Sequence, residues 1–332
     1  MPAAHGLIPA LLQRWEGVQS ALEPAGIQAE RINDLWWLFF SVLAAIWVAV
    51  MVVLVWSLVR GRGRAAPDTD ERTGRRQRVV VGTAIVASAL VLVGLATADF
   101  ATGRAIASLA ASHPDPIVVR VTGYQWWWDV QYVDSVSSRS FTTANEIVVP
   151  VGRPVRVNIE AADVIHSFWV PNLHGKRDLI PGYSNNIWIR ADEPGIYRGQ
   201  CAEYCGDQHA RMALFVRALE ADSFDAWYAG QLRPAATPTD SSALRGMQVF
   251  TTGPCAMCHT VRGTPAGGRV GPDLTHLASR ASIAAGTLPN TRGHLGGWIV
   301  NSQAIKPGNR MPPMPLSGPD LTALLDYLET LR

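Results

Sequence analysis

Two long apolar runs dominate the first third of the chain. Leu35 to Leu58, LWWLFFSVLAAIWVAVMVVLVWSL, carries no charge, and Val79 to Ala98, VVVGTAIVASALVLVGLATA, is a second uncharged run richer in glycine and alanine. A helix needs about 20 apolar residues to cross a bilayer. The pattern therefore predicts a transmembrane hairpin over residues 35–98 with a connecting loop at 59–78. Trp36, Trp37 and Trp56 lie near the ends of the first run, where indoles settle at membrane interfaces. The loop is crowded with Arg60, Arg62, Arg64, Arg72, Arg75, Arg76 and Arg78. Positive charge stays in the cytoplasm, so both termini are expected outside a bacterial-type plasma membrane. Residues 1–34 have no uninterrupted apolar core and read as an extracytoplasmic segment, with no cleaved signal evident.

Past the hairpin the period changes. Within a domain expected over 99–232, residues 117–219 carry IVVRVTGY, EIVVPVG, PVRVNIE, IHSFWVP, NNIWIRA, GIYRGQ and MALFVRAL, short segments rich in β-branched and aromatic residues and separated by Gly, Pro, Asn or Asp. That spacing predicts an antiparallel sandwich or barrel. Residues 233–241, rich in Pro, Ala and Thr, read as a linker. Residues 242–332 turn helical. Ser317 and Asp320 have capping-box spacing, and Leu321, Leu324, Leu325 and Leu328 make one apolar helix face.

The chain of 332 residues is long enough for two or three domains, and its net charge of +2 is too small to imply a nucleic-acid partner. Only two lysines occur, Lys176 and Lys306. The four cysteines form two close pairs, Cys201/Cys205 and Cys255/Cys258. Two short disulfides would suit an extracytoplasmic chain. A histidine beside each pair and a methionine downstream of it point instead to cofactor ligation.

In Cys201-Ala-Glu-Tyr-Cys205-Gly-Asp-Gln-His209-Ala-Arg-Met212, two thiolates, an imidazole and a thioether converge within one loop. Such soft donors favour copper or iron–sulfur over oxygen-loving ions. His166, in Asp-Val-Ile-His-Ser-Phe-Trp, supplies a further imidazole. A site for one copper needs only one cysteine, and two sulfurs four residues apart can bridge two ions. A Cys2His2 zinc site is the alternative, and it leaves Met212 unused.

The segment resembles the CuA motif of cytochrome oxidase subunit II, a binuclear copper centre. By that resemblance Cys201 and Cys205 bridge, His166 and His209 are terminal ligands, and Met212 and the Glu203 carbonyl are weak ligands. The Glu203 carboxylate matches the family residue that reaches magnesium at the interface with subunit I. Trp126, first in Tyr124-Gln-Trp126-Trp127-Trp128, matches the position where electrons enter from cytochrome c. Strand alternation would place Trp126 and Trp128 on one face and Trp127 on the other, with Trp126 as an exposed indole of the kind interfaces use. Lys176 to Gly182 resembles the family loop that meets subunit I. No glutamate matches the one that opens a proton channel before the second span, since residues 74–78 read Gly-Arg-Arg-Gln-Arg.

Cys255-Ala-Met-Cys258-His259 is a c-type haem attachment motif. Gly271-Pro272 resembles the cytochrome c segment whose proline carbonyl holds the proximal histidine. The sixth ligand is expected from Gly308-Asn-Arg-Met311-Pro-Pro-Met314, where Met311 fits the family placement better than Met314. Gly246 and Phe250, opposite Tyr327 and Leu328, resemble the crossed terminal helices of small cytochromes c. The resemblance implies a membrane hairpin, a cupredoxin-like β-barrel and an all-α class I cytochrome c domain. It further implies electron transfer from haem c, or from a soluble cytochrome c or other donor, through copper to a haem of subunit I. Oxygen reduction and proton pumping would follow there, among other oxidase subunits. A nitric oxide reductase of the same superfamily, or an electron carrier without an oxidase partner, remain alternatives.

Overall fold

The computed structural model describes residues 18–61, 71–111 and 116–332. The chain divides into two compact units, one spanning Glu30–Ser112 and the other holding the described residues on either side of it.

Helices α1 (Ile27–Gly61) and α2 (Glu71–Ala111) extend well beyond the two apolar runs. Both are long and apolar enough to cross a membrane, and their apolar windows are almost wholly exposed. Soluble proteins rarely leave so large an apolar surface uncovered. The hydroxyls of Ser57 and Thr97 bond back to the carbonyls of Leu54 and Val93 at 2.8 and 2.7 Å, which keeps polar groups satisfied away from water. Arg72, Arg75, Arg76 and Arg78, expected in a loop, stand on the first turns of α2. Arg62 and Arg64 lie outside the described residues.

The barrel holds the expected short strands. Strands β1 (Ile117–Tyr124), β2 (Trp127–Val133), β3 (Phe141–Ala144), β5 (Val155–Ala161) and β8 (Asn185–Ile189) form one sheet in the order β3-β2-β1-β5-β8. Strands β4 (Glu146–Pro150), β9 (Gly195–Gln200) and β10 (Ala213–Leu219) form a second, in the order β4-β10-β9. The pair β6 (His166–Phe168) and β7 (Arg177–Leu179) stands beside them. Alternation works as read: Val119 and Val121 of β1 enter the core while Arg120 faces out. Each such buried aliphatic contributes about 1.5–3 kcal/mol. The pairing is mixed and not purely antiparallel, because β1 runs parallel to β5 and β4 parallel to β10. In each case the intervening chain is long enough for a crossover.

Two features of this unit were not visible as elements in the sequence. Residues before α1 lie along the barrel: Val18 pairs with Tyr197, and the Asn172 side chain accepts from Ser20 N–H and donates to the Glu23 carbonyl. Helix α3 (Ala221–Leu232) then follows β10, and its Trp227 and Tyr228 pack edge-on against Tyr132 and Phe141.

The C-terminal domain is built on α4 (Ser241–Thr252) and α6 (Gly318–Leu328). Asp240 and Ser317 cap them, accepting from Ala243 N–H and Asp320 N–H, and each such cap is worth about 1 kcal/mol. The helices cross where Gly246 has no side chain, since a Cβ there would overlap the Ala323 carbonyl. Phe250 and Tyr327 meet at 5.9 Å beside the crossing. Residues 233–240 are irregular but not a loose tether: the Arg233 carbonyl accepts from His276, and Ala235 N–H donates to the Arg262 carbonyl.

Candidate functional site

Strands β9 and β10 are antiparallel neighbours, so the loop between them must leave and return at the same end of the barrel. That places Cys201, just after β9, against Met212, just before β10, with Cys201 N–H bonded to the Met212 carbonyl at 2.9 Å. Cys205 comes back over Cys201 because Gly206 takes a left-handed φ of +109°. A Cβ at Gly206 would also lie 2.9 Å from the Gln125 amide. His166 reaches the loop from β6, whose partner β7 lies within the Lys176–Gly182 segment, in register His166↔Leu179.

The donors then form two similar halves. Cys201 and Cys205 Sγ stand 3.7 Å apart. Cys201 Sγ has His166 Nδ1 at 3.9 Å and the Glu203 carbonyl at 3.2 Å. Cys205 Sγ has His209 Nδ1 at 3.6 Å and Met212 Sδ at 3.8 Å. A single tetrahedral ion needs four donors around one point. Among the described His, Cys, Asp and Glu residues, the ligand atoms that lie within 4.8 Å of one another are those of His166, Cys201 and Cys205, three and not four. Two sulfurs, each flanked by its own imidazole and its own weak donor, fit two soft ions.

The electrostatics agree. The hydrogen bond with Cys205, aided by His166, pulls the Cys201 thiol well below the usual thiol range, whereas Cys201 holds Cys205 well above it. One thiolate forms readily and the second resists its like charge. Both can ionise only beside strong positive charge, which metal ions provide. Burial opposes charging of His166, but Cys201 and Asp163 outweigh it and raise its pKa. Asp163 Oδ1 accepts from His166 Nε2 at 2.9 Å. That bond fixes the tautomer and leaves Nδ1 free toward the sulfurs.

Below the loop lie the tryptophans, and one expectation about them fails. Trp126 is neither in a strand nor exposed. Tyr124 pairs with Trp127 across β1 and β2, which leaves Gln125-Trp126 as a two-residue turn. The Trp126 indole is 7% exposed because C-terminal residues near Gly308 cover it. Its Nε1 donates to the Cys205 carbonyl at 2.8 Å. Trp127 and Trp128 do alternate, and Trp128 is fully buried beside His166.

Trp126 also lines a deep cleft of the C-terminal domain together with Cys255, Cys258, His259, Met311 and Met314. Helix α5 (Cys255–Cys258) holds both thiols on one turn, and neither is in a disulfide. The Pro272 carbonyl accepts from His259 Nδ1 at 2.8 Å, as the resemblance implied, which leaves Nε2 unpaired. Burial lowers the His259 pKa, so the ring stays neutral as a ligand must be. Two free thiols, a neutral imidazole and methionine sulfur around one apolar cleft fit a covalently held haem. Asp163, Gln125 and Lys306 escaped the sequence reading, and the only signal for Lys306 was the rarity of lysine in the chain.

A two-helix membrane anchor carrying a cupredoxin-like barrel and a helical cytochrome domain defines a membrane-bound copper and haem protein. Residues 133–219 match the family described as cytochrome c oxidase subunit II, periplasmic domain, and residues 243–332 match cytochrome c. The chain is 36% identical over 324 residues to cytochrome c oxidase subunit 2 of Alkalihalophilus pseudofirmus, covering 94% of this chain and 91% of that protein. Identity to the Bacillus subtilis subunit 2 is 28% over 345 residues, covering 98% and 96%. The solved periplasmic domain of subunit II from Bradyrhizobium japonicum is 34% identical, covers 36% of this chain and 95% of that one, and superposes with a TM-score of 0.32. The chain belongs to the cytochrome c oxidase subunit 2 family, in the form with a fused C-terminal cytochrome c domain. It is a subunit of a membrane-associated haem–copper oxidase complex.

Proposed function

We propose that this subunit takes electrons in at the cytochrome domain and passes them across Trp126 to a CuA centre, for delivery to a haem in subunit I. There oxygen would be reduced to water with proton pumping. Cys201 and Cys205 would bridge the two coppers, with His166, His209, Met212 and the Glu203 carbonyl completing them. The Glu203 carboxylate is the candidate magnesium ligand at the subunit I contact. Cys255 and Cys258 would form thioethers, and His259 and Met311 would bind the iron. When bound, the haem and the copper pair supply one-electron redox centres, and both coppers share the transferred electron. The observation that carries the reading is Trp126: one indole is both a wall of the haem cleft and a hydrogen-bond donor to Cys205. Exposed Ile165, Ile180, Tyr183 and Tyr204 near the copper loop suit burial against subunit I.

Metal analysis tests the assignment. The purified complex should carry two coppers and one covalent haem iron in this subunit, and a single copper there would refute the binuclear centre. Met311→Ala should abolish the low-spin His/Met spectrum and lower the potential, while Met314→Ala leaves both nearly unchanged. The reverse pattern moves the axial bond to Met314.

Orientation follows from the barrel and the arginines together. Residues 18–25 hydrogen-bond to barrel residues, so the segment before α1 shares a side of the membrane with the barrel. The arginine-rich segment between the two spans would then lie on the other side of the membrane, which the positive-inside rule makes cytoplasmic. A cysteine introduced at Thr69, which lies outside the described residues, should resist an impermeant thiol reagent applied to intact cells. Labelling at that position would overturn the proposed topology.

A further inference from the structure

Lys306 is nearly inaccessible, at 2% exposure. Its ammonium donates to the carbonyls of Trp126 and Arg211 at 2.7 Å each and of Ala284 at 3.1 Å. Three acceptors take all three ammonium protons. Among the described residues no carboxylate lies within ion-pair distance of it. Two of those carbonyls belong to the copper barrel, whereas Ala284 and Lys306 itself belong to the cytochrome domain. Arg211 precedes Met212, and Trp126 is the indole between the two sites. Ala284 and Ala285 both adopt left-handed φ, 53° and 56°, which non-glycine residues do rarely. The turn presents the Ala284 carbonyl to Lys306 and the Ala285 carbonyl to Ala213 N–H across the interface, the latter at 3.0 Å. Gln208 Nε2 to the Pro307 carbonyl, 2.9 Å, and Ala281 N–H to Glu146 Oε1, 2.8 Å, close the same seam.

We propose that Lys306 is a positioning residue that pins the cytochrome domain to the copper barrel in the register electron transfer requires. A buried ammonium shared among three carbonyls contributes more to register than to raw affinity, because its loss of water offsets much of the attraction. Its removal strands the Trp126 and Arg211 carbonyls inside a closed interface, and unpaired buried acceptors are costly. The docked state is thereby held mainly by buried contacts; the Arg310–Asp163 ion pair at 3.6 Å also crosses the seam, but its guanidinium is exposed and such pairs contribute little. The electron-transfer part rests on the relay proposed above, and the docking part does not.

The test uses the assembled oxidase with the full-length chain carrying Lys306→Met, which keeps the stem and removes the donors. Hydrogen exchange at the Ala213 and Ala281 amides should quicken roughly tenfold, equivalent to about 1.4 kcal/mol. Haem-to-copper transfer should slow by a similar factor, with haem spectrum and potential unchanged. In the wild type, 1 M salt, where the Debye length is about 3 Å, should alter neither exchange nor transfer. Unchanged exchange in the variant, or a lost low-spin haem signature, would overturn the pin, the second because Lys306 would then only shape the Met311 loop. Faster exchange with unaltered transfer would support the pin and refute the relay. If the variant does not assemble, the wild-type salt measurement decides, and slower transfer at 1 M salt overturns the proposal.

Discussion

Trp126→Ala should slow reduction of the copper pair by roughly tenfold or more, at least about 1.4 kcal/mol added to the barrier, while the haem is still reduced quickly. The indole occupies the space between the haem cleft and the Cys205 carbonyl, and its N–H makes the direct bond to that carbonyl. Alanine removes both the conjugated ring and the bond. Truncating a buried tryptophan also costs about 3–5 kcal/mol of stability, so Trp126→Phe is the necessary companion. It keeps a ring in the site but not the N–H, and its rate should fall between those of wild type and alanine. Rapid mixing of the complex with a reductant, with the haem and copper bands followed separately, reads both steps, and metal analysis confirms equal loading. Copper reduced ahead of haem in the wild type, or copper reduction indifferent to Trp126→Ala, would eliminate this route.

Cys201→Ser should remove the binuclear copper spectrum altogether and leave haem iron at full occupancy. Cys201 is the sulfur beside His166, the Glu203 carbonyl and Cys205, so its loss would remove one of the two sulfurs proposed to bridge the coppers. A serine hydroxyl is a hard donor that does not ionise near neutral pH, and soft copper gains little from it. Met212→Leu should only perturb the spectrum, because a thioether is the weaker donor and both cysteine sulfurs remain. Copper content and visible spectra of the purified variants separate these outcomes. Retention of two coppers with an unaltered spectrum in Cys201→Ser would remove Cys201 from the centre.

The copper loop was legible from residues alone because soft donors are rare and their spacing is informative. Cys201, Cys205, His209 and Met212 fall within one short loop, and the attachment motif at Cys255 is nearly as compact. The distant donor His166 was available as a further imidazole in the sequence, but only strand pairing explains its arrival beside Cys201. Trp126 was expected to be exposed and is buried. Alternation describes a residue inside a strand, whereas Trp126 occupies the turn where that rule stops applying. Its burial comes from residues near Gly308, about 180 positions away, and local periodicity carries no information about contacts at that range.

By itself the sequence determined what short-range physics controls in this protein. Two uncharged runs specify membrane helices, alternating β-branched residues specify strands, and clustered thiols, imidazoles and thioethers specify soft-metal and haem chemistry. Tertiary structure alone decided the rest: parallel pairing of β1 with β5, the segment before α1 lying along the barrel, Asp163 fixing the His166 tautomer, and Lys306 reaching three carbonyls across the domain seam. The division has one physical cause. A ligand cluster or a helix face is encoded by neighbours in the chain, but a buried hydrogen bond between distant segments depends on where folding brings its partners, and backbone carbonyls, which accept most of these bonds, are the same at every position.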